Sequence, residues 1–559
     1  MSLVAPFADI TRSGFPLSAS GDGLGERSSR RQPHPHPLPA GGEGRELPNT
    51  FWNSYVYWLP PALLGLALTL FYLNPFIGDW DALDYTISSL KGEPSPMALG
   101  RSLFTLFNFA LYAFAHKVFS IGPESAYLLF KFAVVAQVPL AIVMGWILAR
   151  DLTRSLLAAT LAAVMIAVCP VVVLYGSQVM TEVPSLGLLA AALIVHLRGL
   201  RSRRVGLVLA GAALLGLAVN LRETNAFYFP WLLLAPFVAG WRFNRRTIGI
   251  VAASLLVFIL FAAGPFALWF ALSAGYRAQW YIWLDSGRSE AARHPFTLSN
   301  LKPFFAYFFL VAPVVFVSLP FAIVNEWRQR RWTLLLLAAG VGLFANVTLI
   351  SYYSTVINWR YFVTGLPAMA PLAANYLLHL GTARLKSRRR AFATLTALML
   401  AVALTMGLLL RTRIHDYRER LAFAKDYIER LRLLPNDAVV MAGFATVAVT
   451  YWRGIRMGEW THIGTGAGFP AGRLPQKIEE HLRAGQRVFI DVDPRWWQPC
   501  SWQTGEIGEL VSIERHFSFR QTAPTIYEVR LPDDPSATDR PQLEKLLPEN
   551  RPEEVKKCF

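Results

Sequence analysis

The stretch NPFIGDWDALDYTISSLKGE, residues 74–93, follows an apolar run long enough to cross a bilayer and brings Asp79, Asp81 and Asp84 close together. A carboxylate so placed can take a proton from an incoming hydroxyl. Asp81 and Asp84 are three apart, so a helix over 79–91 puts them on one face with Tyr85, whereas Asp79 and Asp81 can close on one ligand only in a turn. The plain alternative is that acids after a span keep their loop solvated. A second acid, Glu182 in YGSQVMTEVPSLGLL, stands at the mouth of a later apolar run with Thr181 before it and Pro184 after it. It reads equally as an acid in a first helical turn, favoured by the macrodipole beside a Thr near the cap.

Cations that could hold a phosphate recur on the same side of the chain. Arg222 and Glu223, in NLRETNAFYFP, occupy a tight turn and can pair with each other or with a ligand. Loop 273–303 carries Arg277, Arg288, Arg293, His294 and Lys302 against Asp285 and Glu290, a net basic patch. Arg360 and Tyr361, in NWRYFVTGLPAMAPLAA, open another apolar run, where an arginine can also simply snorkel.

The elements that must position these residues are membrane spans. Of 559 residues, 54% are hydrophobic and only 16% charged, with a mean hydropathy of +0.35, which is outside the range of soluble domains. The 17 Trp and 19 Tyr suit interfacial belts, though core packing would use them as well. The net charge of +17 comes from short basic clusters between apolar runs, a pattern of topology and not of nucleic-acid binding. Cys169, Cys500 and Cys558 have no metal-ligand spacing; the last two share a side and either pair or stay reduced.

Apolar runs near 55–77, 126–148, 155–175, 182–198, 205–222, 247–272, 304–325, 333–351, 360–380 and 391–411, with a shorter one at 226–240, predict about eleven crossings. The clusters at Arg150 and Arg154, Arg198 to Arg204, Arg242 to Arg246, Arg328 to Arg331 and Arg384 to Arg390 are then cytoplasmic. Counting RSLFTLFNFALYAFAHKVF, residues 101–119, as a crossing would break that parity, so it is expected to lie flat on the outer surface. This topology sends Asp79, Asp81, Asp84, Glu182, Arg222, Glu223, loop 273–303 and Arg360 to one exported face.

Residues 1–50, rich in Pro, Gly, Ser and Arg, are expected to be a disordered cytoplasmic tail, with the first span an uncleaved signal anchor. Residues 51–411 form the transmembrane module. From 412 to 434 the chain predicts a charged amphipathic helix, and DAVVMA, RVFIDVD and TIYEVRL predict strands, giving a small extracytoplasmic α/β domain over 412–535 and a flexible tail over 536–559. No internal repeat, G-x-G-x-x-G or Walker loop is present, which argues against direct nucleotide binding.

Taken in order, the acidic loop DWDALDY after the first span, the flat helix, the Thr-Glu-x-Pro at the start of a later span, the Arg-Glu turn, the large outer loop and the Arg-Tyr pair resemble the GT-C superfamily over roughly 51–411. Within it they are most similar to bacterial relatives of protein O-mannosyltransferases and lipid A aminoarabinose transferases. The resemblance implies an inverting transfer of a sugar from a polyprenyl-phosphate donor to a lipid, glycan or protein acceptor, on the periplasmic face of a bacterial inner membrane. It implies Asp81 as base, matching the family's Asp with a Tyr four residues later, with Asp79 in reserve and Glu182 as second acid. It likewise implies Arg222, Arg288, Arg293, Lys302, Arg360 and Tyr361 toward the donor phosphate, supported by Asp84, Tyr85, Glu223 and His294. The first loop departs from the family in lacking an adjacent Asp-Glu pair, which leaves open whether a divalent metal, Mg or Mn, sits on Asp79, Asp81 and Glu182.

Two other classes compete. A transporter or flippase of lipid-linked saccharides should carry ionisable groups at mid-span and paired discontinuous helices in matching halves; charges there are few and no matching halves are seen. A membrane polymerase or ligase would share the outer arginines but lacks the acidic first loop.

Overall fold

In the computed structural model the described residues are 54–73, 80–95, 99–278, 280, 281, 284, 301–352, 358–409, 434, 435, 438–441, 462, 463, 474–494, 497, 504–532 and 534–556, all within one unit, Ser54–Phe559. The apolar runs become helices α1 (Tyr55–Phe71), α4 (Ala126–Thr153), α5 (Leu156–Ala167), α6 (Pro170–Gly176), α7 (Glu182–Ser202), α8 (Val205–Leu221), α9 (Phe229–Val238) and α10 (Arg245–Leu272). Between α1 and α4 lie α2 (Trp80–Lys91) and α3 (Ser102–Phe119). After α10 come α11 (Leu301–Val311), α12 (Pro313–Arg328), α13 (Leu334–Tyr352), α14 (Phe362–Leu385) and α15 (Arg388–Leu409).

Measured by length and apolarity, five described helices can cross a membrane, or up to seven when bent pairs count as one, so the expected count of eleven is not reached. Two causes are physical. Helix α1 has 17 residues, spanning roughly 26 Å against the ~30 Å of hydrocarbon, and α8 is equally short. Proline breaks others: α5 and α6 meet at 58° where Pro170 cannot donate to the preceding turn, and the run expected to cross at 304–325 bends by 110° before Pro313. That run is therefore not one straight span. Helix α3, expected to lie flat, is by length and apolarity itself among the five.

The basic ends of several helices come together. Arg198 at the end of α7 reaches Asp151 at the end of α4 at 2.7 Å, and Arg388 at the start of α15 donates to Ser155 Oγ at 2.9 Å. Three of the basic clusters thus meet at one end of the bundle. Arg198 and Glu182 lie at opposite ends of α7, roughly 24 Å apart along its axis.

Helices α7 and α8 pack backbone to backbone, because a Cβ at Gly211 would sit 2.6 Å from the Cα of His196. Gly211→Val is expected to lower the thermal midpoint in detergent, since overpacking of this kind costs roughly 1–3 kcal/mol. An unchanged midpoint would show that the two helices do not meet there.

Beyond the bundle, β1 (Val439–Met441), β2 (His462–Ile463), β3 (Val488–Asp491), β4 (Ser518–Ala523) and β5 (Ile526–Arg530) form one sheet in the order β2-β1-β3-β5-β4. The first three are parallel neighbours, while β5 and β4 are antiparallel. Helices α16 (Leu474–Arg483) and α17 (Thr504–Ile513) cover it, with Val440, Ile478, Ile490, Trp497 and Ile507 in the core. The three strand-like runs are β1, β3 and β5; the helix expected over 412–434 lies outside the described residues apart from Leu434. The expected flexible tail is corrected in part, because Leu543 and Leu546 are buried in this core and Arg551 donates to the carbonyls of Trp497 and Pro494. Packing thus continues well past 535.

Candidate functional site

Asp81 lies in the first turn of α2, close after the first span, as the helical spacing requires. Its Oδ2 accepts from Arg360 Nη1 at 2.8 Å and stands 4.0 Å from Arg101 Nη1. Arg360 belongs to the 3-10 turn Asn358–Tyr361 that leads into α14, and its Nε is 3.8 Å from Glu182 Oε1. One guanidinium therefore bridges the two acids singled out in the sequence, although they are about a hundred residues apart.

Glu182 opens α7 and is fully buried, with Arg222 Nη1 2.6 Å from its Oε1. The helix-start reading is not what holds it: Thr181 makes no side-chain cap bond, and its hydroxyl accepts from Arg222 at 3.2 Å. Nor do Arg222 and Glu223 pair with each other. The chain turns at Arg222, the extended residue that ends α8, so Arg222 faces Glu182 while Glu223 goes to Arg101. That second pair is bidentate, at 2.9 and 3.1 Å. Tyr361 is buried between cations, its ring centroid 5.1 Å from Arg222 and 5.7 Å from Arg360. Tyr85 is buried on the face shared with Asp81, with Arg101 5.0 Å from its centroid.

The electrostatics follow from these pairings. Burial would raise the Asp81 carboxyl, but Arg360 and then Arg101 hold it below the usual carboxylate range. Burial likewise opposes ionisation of Glu223, and Arg101 overrides it to bring the group to about 2. Asp84 goes the other way, to about 6, because burial outweighs the bond from Ser95 Oγ at 2.7 Å. Three carboxylates and three guanidiniums thus form one balanced cluster. Within it Arg101 Nη1 and Arg222 Nε and Nη2 are buried donors with no hydrogen-bond acceptor among the described residues, and Glu182 Oε2 is a buried acceptor with no donor among them.

Arg101 is the residue that sequence reasoning missed. Its signal was a cation beside Gly100 at the head of a segment expected to face outward, against the positive-inside trend. Other expectations are not brought together. Lys302 is exposed, and Arg277 folds back so that its Nη1 donates to the carbonyls of Phe270 and Ala271, both at 2.8 Å. Asp79, Asp285, Arg288, Glu290, Arg293 and His294 lie outside the described residues. Of the three residues expected to hold a divalent metal, Asp81 and Glu182 each face a guanidinium and Asp79 lies outside the described residues; among the described residues no three His, Cys, Asp or Glu side chains converge.

No protein-family model matches the chain, and no curated protein is similar to it in sequence. Solved structures do share its architecture. ArnT from Cupriavidus metallidurans bound to undecaprenyl phosphate is similar at 13% identity and a TM-score of 0.52, over 86% of this chain and 98% of that one. The Archaeoglobus fulgidus oligosaccharyltransferase tethered with an acceptor peptide containing the NVT sequon is similar at 13% identity and a TM-score of 0.51, over 90% of this chain and 78% of that one. Its apo form gives 14% identity and 0.50, over 84% and 73%. The chain therefore has the fold that these solved structures share. At these identities the likeness is one of fold.

Proposed function

We propose that this protein is an inverting glycosyltransferase that moves a sugar from a polyprenyl-phosphate donor to an acceptor, on the periplasmic face of a bacterial inner membrane. The observation that carries this reading is the Arg360 bridge between Asp81 and Glu182. It joins a proton acceptor to a set of cations, the two parts such a transfer needs. The fold neighbours add support, since one is bound to undecaprenyl phosphate and another is tethered with an acceptor peptide. The acceptor here is a lipid, a glycan or a protein.

In the reaction the acceptor oxygen attacks the anomeric carbon as the bond from that carbon to the phosphate oxygen breaks on the opposite face. The electron pair leaves with polyprenyl phosphate, and the hydroxyl proton passes to Asp81. Arg101 and Arg222 carry the buried donors that have no acceptor among the described residues, so they meet the departing phosphate. As the phosphate draws Arg360 and Arg101 to itself, their hold on Asp81 weakens and its basicity rises. Glu182 keeps Arg222 in place, and Tyr361 stacks against both cations. No step is routed through a metal.

The test is transfer itself. Vesicles holding the purified protein should pass labelled sugar from a polyprenyl-phosphate panel to an acceptor extract with inversion at the anomeric carbon. No transfer from any member, in protein that binds undecaprenyl phosphate, would remove the enzyme reading. Sidedness has its own check in a cysteine-free background. A Lys302→Cys variant should react with an impermeant maleimide from outside intact cells, and Arg330→Cys should not, both positions being exposed on the protein. The opposite labelling pattern would overturn the orientation.

A further inference from the structure

Arg101 adopts φ 42° and ψ 35° as the N-cap of α3, where extended backbone is usual. Arg154, Arg203 and Lys386 share that left-handed region but as helix C-caps, its ordinary place. Gly100 before it is also left-handed, at φ 84°. A non-glycine residue persists there only where neighbours over-determine it, and such strain at a cluster of charge is a pointer to function.

The neighbours are identifiable. Ser95 N–H donates to the Gly100 carbonyl at 2.8 Å and Ser95 Oγ donates to Asp84 on α2. On the far side of Arg101, Ser102 Oγ and the Leu103 N–H both donate to Asn220 Oδ1 on α8 at 2.9 Å. The remaining hold comes from the short helical turn after α10. Tyr276, buried, donates its hydroxyl to the Ser95 carbonyl at 3.1 Å, and a Cβ on Gly100 would lie 2.6 Å from that same hydroxyl oxygen. Tyr276 thus touches both Ser95 and Gly100, the residues that set the backbone of Arg101. It packs edge-on against Phe266 of α10, with ring centroids 6.3 Å apart, so it is fixed from behind.

We infer that Tyr276 is a positioning residue for Arg101: by holding Ser95 and closing over Gly100 it fixes the strained backbone that sets the Arg101 guanidinium on Glu223 with its Nη1 toward Asp81. The inference rests on the proposed reading only for its consequence, that Arg101 so aimed meets the donor phosphate.

Two arms separate the claims, both on full-length protein in nanodiscs. Without any ligand, hydrogen exchange of the Ser95 amide and of the Leu99 to Leu103 amides should quicken in Tyr276→Phe, and Gly100→Ala, which strains the same contact from the other side, should do likewise. With undecaprenyl phosphate as probe, Tyr276→Phe should weaken binding roughly fivefold, the effect of one hydrogen bond. In an Arg101→Gln background the same change should shift binding by less than about twofold, because its effect runs through Arg101. Unaltered exchange, or losses that simply multiply between the two positions, would overturn the inference. Quickened exchange in a protein that never binds undecaprenyl phosphate would support the positioning of Arg101 and overturn the donor assignment instead.

Discussion

Asp81→Asn should cut sugar transfer by roughly 10²–10⁴-fold, the usual contribution of a general base, while leaving undecaprenyl phosphate binding intact or tighter. The amide keeps the shape and an oxygen for Arg360 Nη1, so the 2.8 Å contact can persist and folding should be unaffected. What disappears is the negative charge that competes with a phosphate for Arg360 and Arg101. Loss of rate together with undiminished affinity is therefore the signature of a base, and parallel loss of both would mark a structural residue. The pH profile carries a second sign. Because the Asp81 carboxyl is held below its ordinary range, transfer should persist through mildly acidic pH and fall only as the pH drops through that lowered value. Rates at subsaturating donor, which report the free enzyme, measured from pH 3 to 8 in wild type and variant check both points, and a fully active variant would take Asp81 out of the mechanism.

The parts of the fold that were legible in the sequence are those in which composition is local. Apolar runs became helices, and DAVVMA, RVFIDVD and TIYEVRL became neighbouring strands of one sheet. Strand β4 escaped because it is an edge strand in which only Phe519 is buried, so no alternation marks it. The breaks before Pro170 and Pro313 were also readable in principle, but apolarity summed over a window cannot register a bend. In the site, residue types and their common face pointed to Asp81, Glu182 and Arg360. Partner choice did not follow, because it depends on where distant helices end. Arg222 and Glu223 are adjacent in sequence yet face different partners, since the chain leaves α8 between them. Arg101 was hidden for a related reason: nothing in GRSLF announces that its backbone is left-handed or that Glu223 waits across the bundle.

Breaking the Arg222–Glu182 pair should have the largest effect on stability. Their side chains are 1% and 0% exposed, so removing one leaves the other a buried charge without its close ion-pair partner, Glu182 keeping only Arg360 at 3.8 Å and Arg222 only the Thr181 hydroxyl and the Tyr361 ring. Arg222→Met or Glu182→Met should each cost about 3–5 kcal/mol, read as a large drop in the thermal midpoint in detergent. The double variant is the informative one. With both charges gone, two apolar side chains of similar length fill the space, and most of the lost midpoint should return, as it does when buried ion pairs are exchanged for hydrophobic residues. Transfer should not return with it. Arg222 offers Nε and Nη2 to no acceptor among the described residues, an arrangement that stability alone does not favour and that an arriving phosphate would complete. A double variant that recovered both midpoint and activity would reduce the pair to packing. One that recovered neither would show that the site does not tolerate apolar replacement and would defeat the account of the pair as a desolvated cation held in readiness.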